Sequence, residues 1–437
     1  MKYSGVRASP IYRLRGSCHS RKPSTSPRIG ARLLRASGSK NLKKARNDPR
    51  PIIKSPMKIG TTMTIASIPN PDLVVSPIEN SPHWSLTNHR RHGFQNVHTM
   101  GRYTTSLRSS RVLPFRKDID WTIGDRADVA RFRSAAHFSG LVVARGDRIL
   151  YEAYAPDFGP DRPQLVCSIT KMNLNIMLGR CVADGILDLE RRVKDYLPEI
   201  GTGYGEATVR AVADMNIAND YSDDGATAIS LEAAAGWRLS PEDGTELTIR
   251  PILCGITGDD LVNRIGGPDY KSASSDVLGW VVERVSKRPV RDWLIEIVEG
   301  AGFEGSFHIA CDREGIPGLG GFASLSARDL ARYALLFARR GEGIDGRRVA
   351  DAGFIDETRR NPGPLWPKPR EGLYYSRHTT TDGTFVGHAG YGGQFVVANP
   401  DTGTAVVYMG VHENKDGDRM DMYPALIRMM AEIAAEN

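Results

Sequence analysis

Two β-hairpin patterns lie toward opposite ends of this chain, and mostly helical patterns fill the interval between them. The first joins residues 138–144 to residues 149–154, and the second joins residues 393–398 to residues 404–409. In each, Gly, Asp or Asn stands between two runs rich in β-branched and aromatic residues, which is typical of a hairpin. Together they predict one antiparallel sheet formed by both chain ends and flanked by helices. The expected fold class is therefore α/β (α+β), with a mostly helical insertion at about residues 200–300.

Charge is distributed unevenly along the chain, whose formal net charge is +7. Residues 1–62 hold sixteen Lys or Arg and one acidic residue, which gives this segment a net charge of +15. The remainder holds 42 of the 58 basic residues and 50 of the 51 acidic residues, for a net charge of −8. A mildly acidic body gives no reason to expect nucleic acid as its partner.

The basic segment is rich in Arg, Ser and Pro and lacks an amphipathic period, which predicts a disordered leader over residues 1–62. Three interpretations stay open: an organelle transit peptide, a nucleic-acid-binding arm, or a mis-assigned start with the true one at Met57 or Met63. The third is favoured. Residues 63–130 are predicted to be a loop-rich approach segment, and residues 131–437 to form the folded domain.

Several observations bear on where the protein works. No run approaches the eighteen or so consecutive apolar residues that a membrane span needs, and no secretory signal follows residue 1 or Met63. The five cysteines are odd in number and widely spaced and include no C-x-x-C, which favours a reducing compartment. We therefore expect a cytoplasmic protein without a membrane partner. The sequence leaves the oligomeric state open, with a homodimer as one option.

The run Cys-Ser-Ile-Thr-Lys-Met at residues 167–172 lies between the first hairpin and a helical pattern with an apolar face. On a helix, Ser168 and Lys171 project from the same face one turn apart. A serine hydroxyl is a poor nucleophile until a base removes its proton, and burial would favour the neutral form of the lysine that a base requires. Ser-x-x-Lys also occurs twice in the leader, so context selects this copy. The alternative is an N-cap serine followed by a surface lysine.

Two further motifs follow in order, Tyr270-Lys-Ser272 before an apolar helix and His388-Ala-Gly390 before a strand. With Ser168-x-x-Lys171, they make residues 82–437 resemble the serine β-lactamase and penicillin-binding-protein superfamily. The nearest similarity is to its class C–like esterases and 6-aminohexanoate-dimer (nylon oligomer) hydrolases. Each motif is short, but their order and surroundings together are specific. The resemblance implies a β-lactamase-like fold.

The resemblance also implies roles for individual residues. Ser168 would be the acylated nucleophile, Lys171 its base and Tyr270 the proton carrier. The backbone N–H groups of Ser168 and Tyr391 would form the oxyanion hole, and no metal or organic cofactor is implied. The residues implied to contact the substrate are Tyr221, Ser272, His388, Ala389 and Gly390.

Two departures from the superfamily pattern bear on the substrate. Ser272 stands where β-lactamases usually have Asn, and His388 replaces the Lys that helps bind the substrate carboxylate. Both changes point away from β-lactams and D-Ala-D-Ala peptides. The sequence therefore predicts a serine hydrolase that cleaves a small ester or amide through an acyl-enzyme. The alternatives are a β-lactamase or D-Ala-D-Ala carboxypeptidase, or a catalytically inactive homologue that binds a ligand.

One acidic cluster outside these motifs could suggest a metal site. Asp220, Asp223 and Asp224 lie close together in the sequence. Their spacing favours a solvated loop over a cation site, so no metal is predicted.

Overall fold

The computed structural model describes residues 89–238, 245–412 and 422–436. All residues that the structure describes belong to one compact unit, residues 68–437. The predicted leader and the first part of the approach segment lie outside the described residues. None of the described helices is long and apolar enough to cross a membrane.

Strands gather toward the two ends of the described chain, and helices dominate its middle. The α-helices are α1 (Arg90–Asn96), α2 (Trp121–Asp125), α3 (Ala127–Arg133), α4 (Asn173–Ala183), α5 (Val209–Ala213), α6 (Ala226–Ala234), α7 (Ile249–Cys254), α8 (Ala273–Ser286), α9 (Val290–Ala301), α10 (Ala327–Ala338), α11 (Ala352–Arg360) and α12 (Tyr423–Ala435). The β-strands are β1 (Tyr103–Leu107), β2 (Arg116–Lys117), β3 (Phe138–Arg145), β4 (Arg148–Tyr154), β5 (Pro163–Leu165), β6 (Phe307–Cys311), β7 (Ala323–Ser326), β8 (Tyr374–Ser376), β9 (Thr379–Thr381), β10 (Val386–Gly390), β11 (Gln394–Asn399) and β12 (Thr404–Gly410).

The larger sheet has eight strands in the order β2-β4-β3-β12-β11-β10-β9-β8. The early hairpin β3–β4 meets the late hairpin β11–β12 where β12 runs antiparallel to β3, with Val406 opposite Val143. The prediction of a sheet formed by both chain ends is confirmed. Strand β10 pairs with β11 in this sheet and carries the His388-Ala-Gly390 motif.

Both faces of the larger sheet are covered. Side chains alternate between the faces along a strand, and neighbouring residues of β3 accordingly belong to different cores. Val142 packs in the core that contains α4, α8, α9 and α10, whereas Val143 packs with α3 and α12. Such double coverage explains why β3, β11 and β12 read as continuous apolar runs in the sequence.

The described part of the approach segment differs from the sequence prediction, because it is not mainly loop. It contributes α1, α2, α3, β1 and β2, and β1 forms an edge of a second, four-stranded sheet of order β1-β6-β7-β5. Only one of the five residues of β1 is buried. A strand without alternating apolar residues leaves no pattern to detect, and β1 forms because the distant strand β6 offers it a partner.

Helices α5 to α9 occupy the interval predicted to be a helical insertion. Helix α8 lies at its centre and packs against α4, α5, α7 and α9. Its first ten residues are all buried. Because α8 begins directly after Ser272, this packing fixes the position of the Tyr270-Lys-Ser272 motif.

A buried ion pair anchors the start of α10, the helix that packs on strands β3, β11 and β12. Ser326 caps this helix, accepting a hydrogen bond from the N–H of Asp329 at 3.1 Å. The Asp329 carboxylate pairs with Arg332 at 2.8 Å and accepts the N–H groups of Glu304 and Gly305. Both charged side chains are almost completely buried, at 1% and 2% exposure.

We expect Asp329→Ala to lower the free energy of unfolding by about 3–5 kcal/mol, because it leaves the Arg332 guanidinium buried without this carboxylate. Asp351→Ala is the matched control. Asp351 caps helix α11, accepting a hydrogen bond from the N–H of Phe354 at 2.8 Å. Its side chain is more exposed than that of Asp329, so its loss should lower the free energy of unfolding by only about 1 kcal/mol. Urea denaturation of both variants tests this, and equal losses would contradict it.

Candidate active site

Ser168 lies on a tight turn between strand β5 and helix α4. The chain enters the turn at Cys167, whose φ of 47° is left-handed. It continues as a 3₁₀ helix over Cys167–Met172 before α4 begins. A left-handed residue other than glycine costs roughly 1–3 kcal/mol and persists only where its surroundings hold it. Ser168 therefore lies on a constrained 3₁₀ turn and not in the first turn of a long α-helix.

The Lys171 amine lies at the centre of the site. Its side chain is fully buried, and its Nζ lies 3.0 Å from Ser168 Oγ and 3.0 Å from Ser272 Oγ. Its third partner is the carbonyl oxygen of Gly320, which accepts a hydrogen bond from Nζ. Burial lowers the pKa of Lys171 to about 8, because a charged amine is poorly stabilised away from water, while nearby carboxylates oppose this shift.

These three partners decide where a neutral Lys171 points its lone pair. A neutral amine has two N–H groups to donate and one lone pair to accept a proton. A carbonyl oxygen can only accept, so Gly320 takes one N–H, and the Ser272 hydroxyl oxygen can accept the other. The lone pair then faces Ser168 Oγ, which is the geometry that a general base requires.

Tyr270 lies on the other side of Lys171, with its ring centroid 4.9 Å from Nζ. Tyr375 packs edge-on against the Tyr270 ring at 5.6 Å, and Trp366 lies 6.1 Å away. Burial raises the pKa of Tyr270 well above its usual value, and contact with the Ser168 side chain opposes this rise only in part. The phenol therefore stays protonated. Its hydroxyl has no well-aligned hydrogen-bond partner among the described residues, so it can donate to a bound molecule.

Strand β10 approaches the Ser168 turn closely. A Cβ added at Gly390 would lie 2.2 Å from the carbonyl oxygen of Val166, two residues before the serine, so only glycine allows this approach. The turn after β10 is supported from α1, because a Cβ at Gly392 would lie 2.0 Å from the ring of Phe94. Phe94 also stacks on Tyr391 at 6.5 Å. The approach segment therefore helps to hold the predicted oxyanion-hole residue in place.

His388 is buried and neutral. Its Nδ1 lies 2.6 Å from the Ala389 carbonyl oxygen, and its Nε2 lies 3.5 Å from the hydroxyl of Tyr375. Burial lowers the pKa of His388 to about 3, and the positive Lys171 acts in the same direction. At neutral pH this position therefore supplies no positive charge toward a substrate carboxylate.

Tyr221 and Ser272 were both predicted to contact the substrate, but their side chains bind other residues of the protein instead. Tyr221 is buried behind the cavity wall, where its hydroxyl donates to Asp223 at 2.8 Å. Asp223 lines the cavity instead and accepts the N–H of Ser272 at 3.0 Å. The side chain of Ser272 contacts Lys171 rather than the cavity. The sequence pattern favours a solvated loop for Asp223, because nothing in its spacing links this residue to Ser272.

A cavity of about 550 Å³ opens in front of Ser168. Most of the predicted site residues line this cavity. It is also lined by residues that were not predicted, chiefly aromatic and cationic side chains from residues 366–375 and the start of α12. Within the described parts of the chain, no three His, Cys, Asp or Glu side chains are grouped to hold a metal ion. The predicted residues that line the cavity are Ser168, Tyr270, His388, Ala389, Gly390 and Tyr391, and the principal additions are Asp223, Trp366, Lys368, Arg370, Phe395, His412 and Tyr423.

Comparison with known proteins defines the family. The Beta-lactamase family model matches residues 126–428, which is well over half of the chain. The chain belongs to the Beta-lactamase family. It is a hydrolase of that family, and the predicted β-lactamase-like fold is confirmed.

Individual relatives confirm the resemblance that the motifs indicated. The 6-aminohexanoate-dimer hydrolase of Paenarthrobacter ureafaciens is 31% identical over 224 residues, which are 50% of this chain and 56% of that protein. The match thus spans little more than half the length of that relative. A Bacillus anthracis protein assigned as a 6-aminohexanoate-dimer hydrolase has a TM-score of 0.70 at 16% identity, with 82% of this chain and 98% of that chain covered. A penicillin-binding protein homologue from Caulobacter crescentus has a TM-score of 0.53 at 17% identity, with 75% and 98% covered.

We expect Gly390→Ala to lower ester hydrolysis by about 100-fold, because the added methyl group would push β10 away from the Ser168 turn and misplace groups across the site. Gly159→Ala is the control, since a Cβ there meets no atom within 4 Å. Turnover of a p-nitrophenyl ester by both variants, with circular dichroism to verify folding, tests this. Full activity of Gly390→Ala would contradict the close approach.

Proposed function

We propose that this protein hydrolyses a small ester or unactivated amide through an acyl-enzyme formed on Ser168. The observation that carries the proposal is the buried Lys171 amine, 3.0 Å from Ser168 Oγ and held by two further acceptors. Burial favours the neutral amine, which can take the proton from the serine. A chain that only binds a ligand has no need for this arrangement, which argues against an inactive homologue.

In the proposed acylation, Lys171 removes the proton from Ser168 while Oγ attacks the carbonyl carbon of the substrate. The N–H groups of Ser168 and Tyr391 stabilise the oxyanion that develops, a donor typically contributing about 3 kcal/mol. Tyr270 donates its proton to the leaving group and regains one from the Lys171 ammonium. Water then attacks the acyl-enzyme with Lys171 as the base, since Tyr270 keeps its proton. Lys171 passes the proton of the water to Ser168 Oγ as the acid leaves.

The cavity supports a small substrate with apolar character. Aromatic side chains form much of its wall, and the neutral His388 offers no cation in the place where β-lactamases carry lysine. The relative from Paenarthrobacter ureafaciens is named for the hydrolysis of an amide between short aliphatic units, which agrees with this cavity. His388, Ala389 and Gly390 are proposed to contact the substrate, together with Asp223 in the place first assigned to Tyr221.

A β-lactam or D-Ala-D-Ala substrate is the second candidate. Arg370 lines the same cavity, where it packs on the rings of Trp366 and Tyr423 at 4.5 Å each. This cation could bind the substrate carboxylate that His388 cannot. Nitrocefin hydrolysis at a rate comparable to that of esters would favour this candidate.

The place of action is proposed to be the cytoplasm. The four described cysteines, Cys167, Cys181, Cys254 and Cys311, are free thiols, which suits a reducing compartment. The proposed partner is the small substrate itself, and the oligomeric state stays open.

We expect Ser168→Ala to abolish hydrolysis of short-chain p-nitrophenyl esters, because no other group replaces the nucleophile. Intact-mass spectrometry of the wild type should show one acyl adduct, and the variant should show none. Ser272→Ala is the comparison, since it removes one Lys171 partner but leaves the nucleophile. A folded wild type without turnover or adduct would instead favour an inactive homologue.

We also expect kcat/KM for ester hydrolysis to rise with pH through a midpoint of about 8. Acylation needs neutral Lys171, and burial lowers its pKa to about 8 from the ordinary 10.5, so the active fraction grows as pH increases through that value. A pH profile between 6 and 10 measures this. A midpoint near 10.5 would show that Lys171 is not desolvated as the structure indicates.

A further inference from the structure

Asp276 is a buried carboxylate that the sequence analysis did not assign to any function. It lies in the first turn of α8, directly after the Tyr270-Lys-Ser272 motif, and is only 6% exposed. Its Oδ1 accepts the N–H of Leu319 at 2.7 Å, and the carboxylate also accepts the N–H of Gly320. Asp276 therefore holds two successive backbone amides of the loop that passes beneath the active site.

That loop touches the catalytic amine directly. The carbonyl of Gly320, whose N–H binds Asp276, accepts a hydrogen bond from Lys171 Nζ. Space around Gly320 is tight: an added Cβ would lie 3.2 Å from the carbonyl oxygen of Ser272 and 3.5 Å from Oδ2 of Asp276. The carboxylate, the loop backbone and the amine thus form one continuous hydrogen-bonded path.

Titratable groups from several elements face this path, and the Lys171 charge also acts on the buried His378 and His388. Asp276 faces Lys171 from α8, Asp223 faces it from the loop before α6, and the Cys167 thiol lies beside it on the Ser168 turn. Asp312, after β6, is the further acid that acts on Asp276. The Asp276 anion raises the pKa of Lys171 against the effect of burial, and burial raises the pKa of Asp276 itself to about 7.

We propose that Asp276 is the positioning residue for Lys171: by holding the 319–320 backbone, it fixes the Gly320 carbonyl and thereby directs the lone pair of neutral Lys171 at Ser168. This inference rests on the proposed function, in which Lys171 is the base. Asp276 touches neither substrate nor nucleophile. It acts through the Gly320 carbonyl, because a carbonyl that rotates away would free one N–H of the amine and let the lone pair turn from Ser168.

The test is Asp276→Asn, studied in the full-length protein. The amide retains the shape of the carboxylate but loses its charge, and its NH₂ group cannot accept one of the two backbone N–H groups. We expect kcat for ester hydrolysis to fall roughly 10- to 100-fold with KM little changed. The acid limb of the pH profile should move to lower pH by about one unit, since an anion that favours the charged lysine has been removed.

Two further variants separate positioning from charge and from stability. Gly320→Ala crowds the carbonyl without changing any charge, so kcat should fall while the midpoint of the pH profile stays in place. Asp214→Asn is the matched control: its carboxylate is buried, accepts the N–H of Arg377 at 2.7 Å, and also has a pKa raised by burial. That variant should lose stability without moving the midpoint.

NMR titration of the Lys171 side chain, in protein carrying isotope-labelled lysine, gives a readout that does not depend on turnover. If the wild type shows no Ser168-dependent hydrolysis, the proposed function fails, and the titration still decides whether Asp276 acts on Lys171. An unshifted Lys171 titration in Asp276→Asn, or an unchanged kcat in both Asp276→Asn and Gly320→Ala, overturns the inference. If Asp276→Asn does not fold, Gly320→Ala alone decides it by its kcat.

Discussion

The removal of the Lys171 amine from water is the physical condition on which the chemistry of this site depends. An exposed lysine stays charged at neutral pH and cannot accept the serine proton, whereas burial lowers the pKa of Lys171 to about 8. Burial also requires hydrogen-bond partners for the amine, because an amine without partners in the interior would lower the stability of the folded protein. Gly320 and Ser272 accept the two N–H groups of the neutral amine, and its lone pair faces Ser168 Oγ.

Each partner arrives from a different part of the fold. Strand β5 and the turn at Cys167 lead to Ser168, Ser272 directly precedes helix α8, and Gly320 lies in the loop before β7. Strand β10 closes the site through the glycine contact at Val166. Elements packed on both faces of the larger sheet therefore hold Lys171 Nζ and its three partners in place. An enzyme site requires such precise placement of its reacting groups.

The cavity wall gives the site its character. Burial keeps His388 neutral. Aromatic rings pack against the ring of Tyr270, whose hydroxyl holds its proton because burial disfavours the phenolate. Among the described residues, the acidic and basic side chains at the wall are those of Asp223, Lys368 and Arg370. The proposal of a neutral carbonyl substrate rests on this largely aromatic wall.

Hairpin turns, helix periods and short motifs are local signals, so the sheet formed by both chain ends, the Ser168–Lys171 pair and the family could be predicted from the sequence. Three features became visible only in the folded chain: β1 joins a second sheet, Asp223 rather than Tyr221 lines the cavity, and the Gly320 carbonyl binds the amine. Those outcomes depend on contacts between segments far apart in the chain. Their separation in sequence carries no information about which atoms meet after folding.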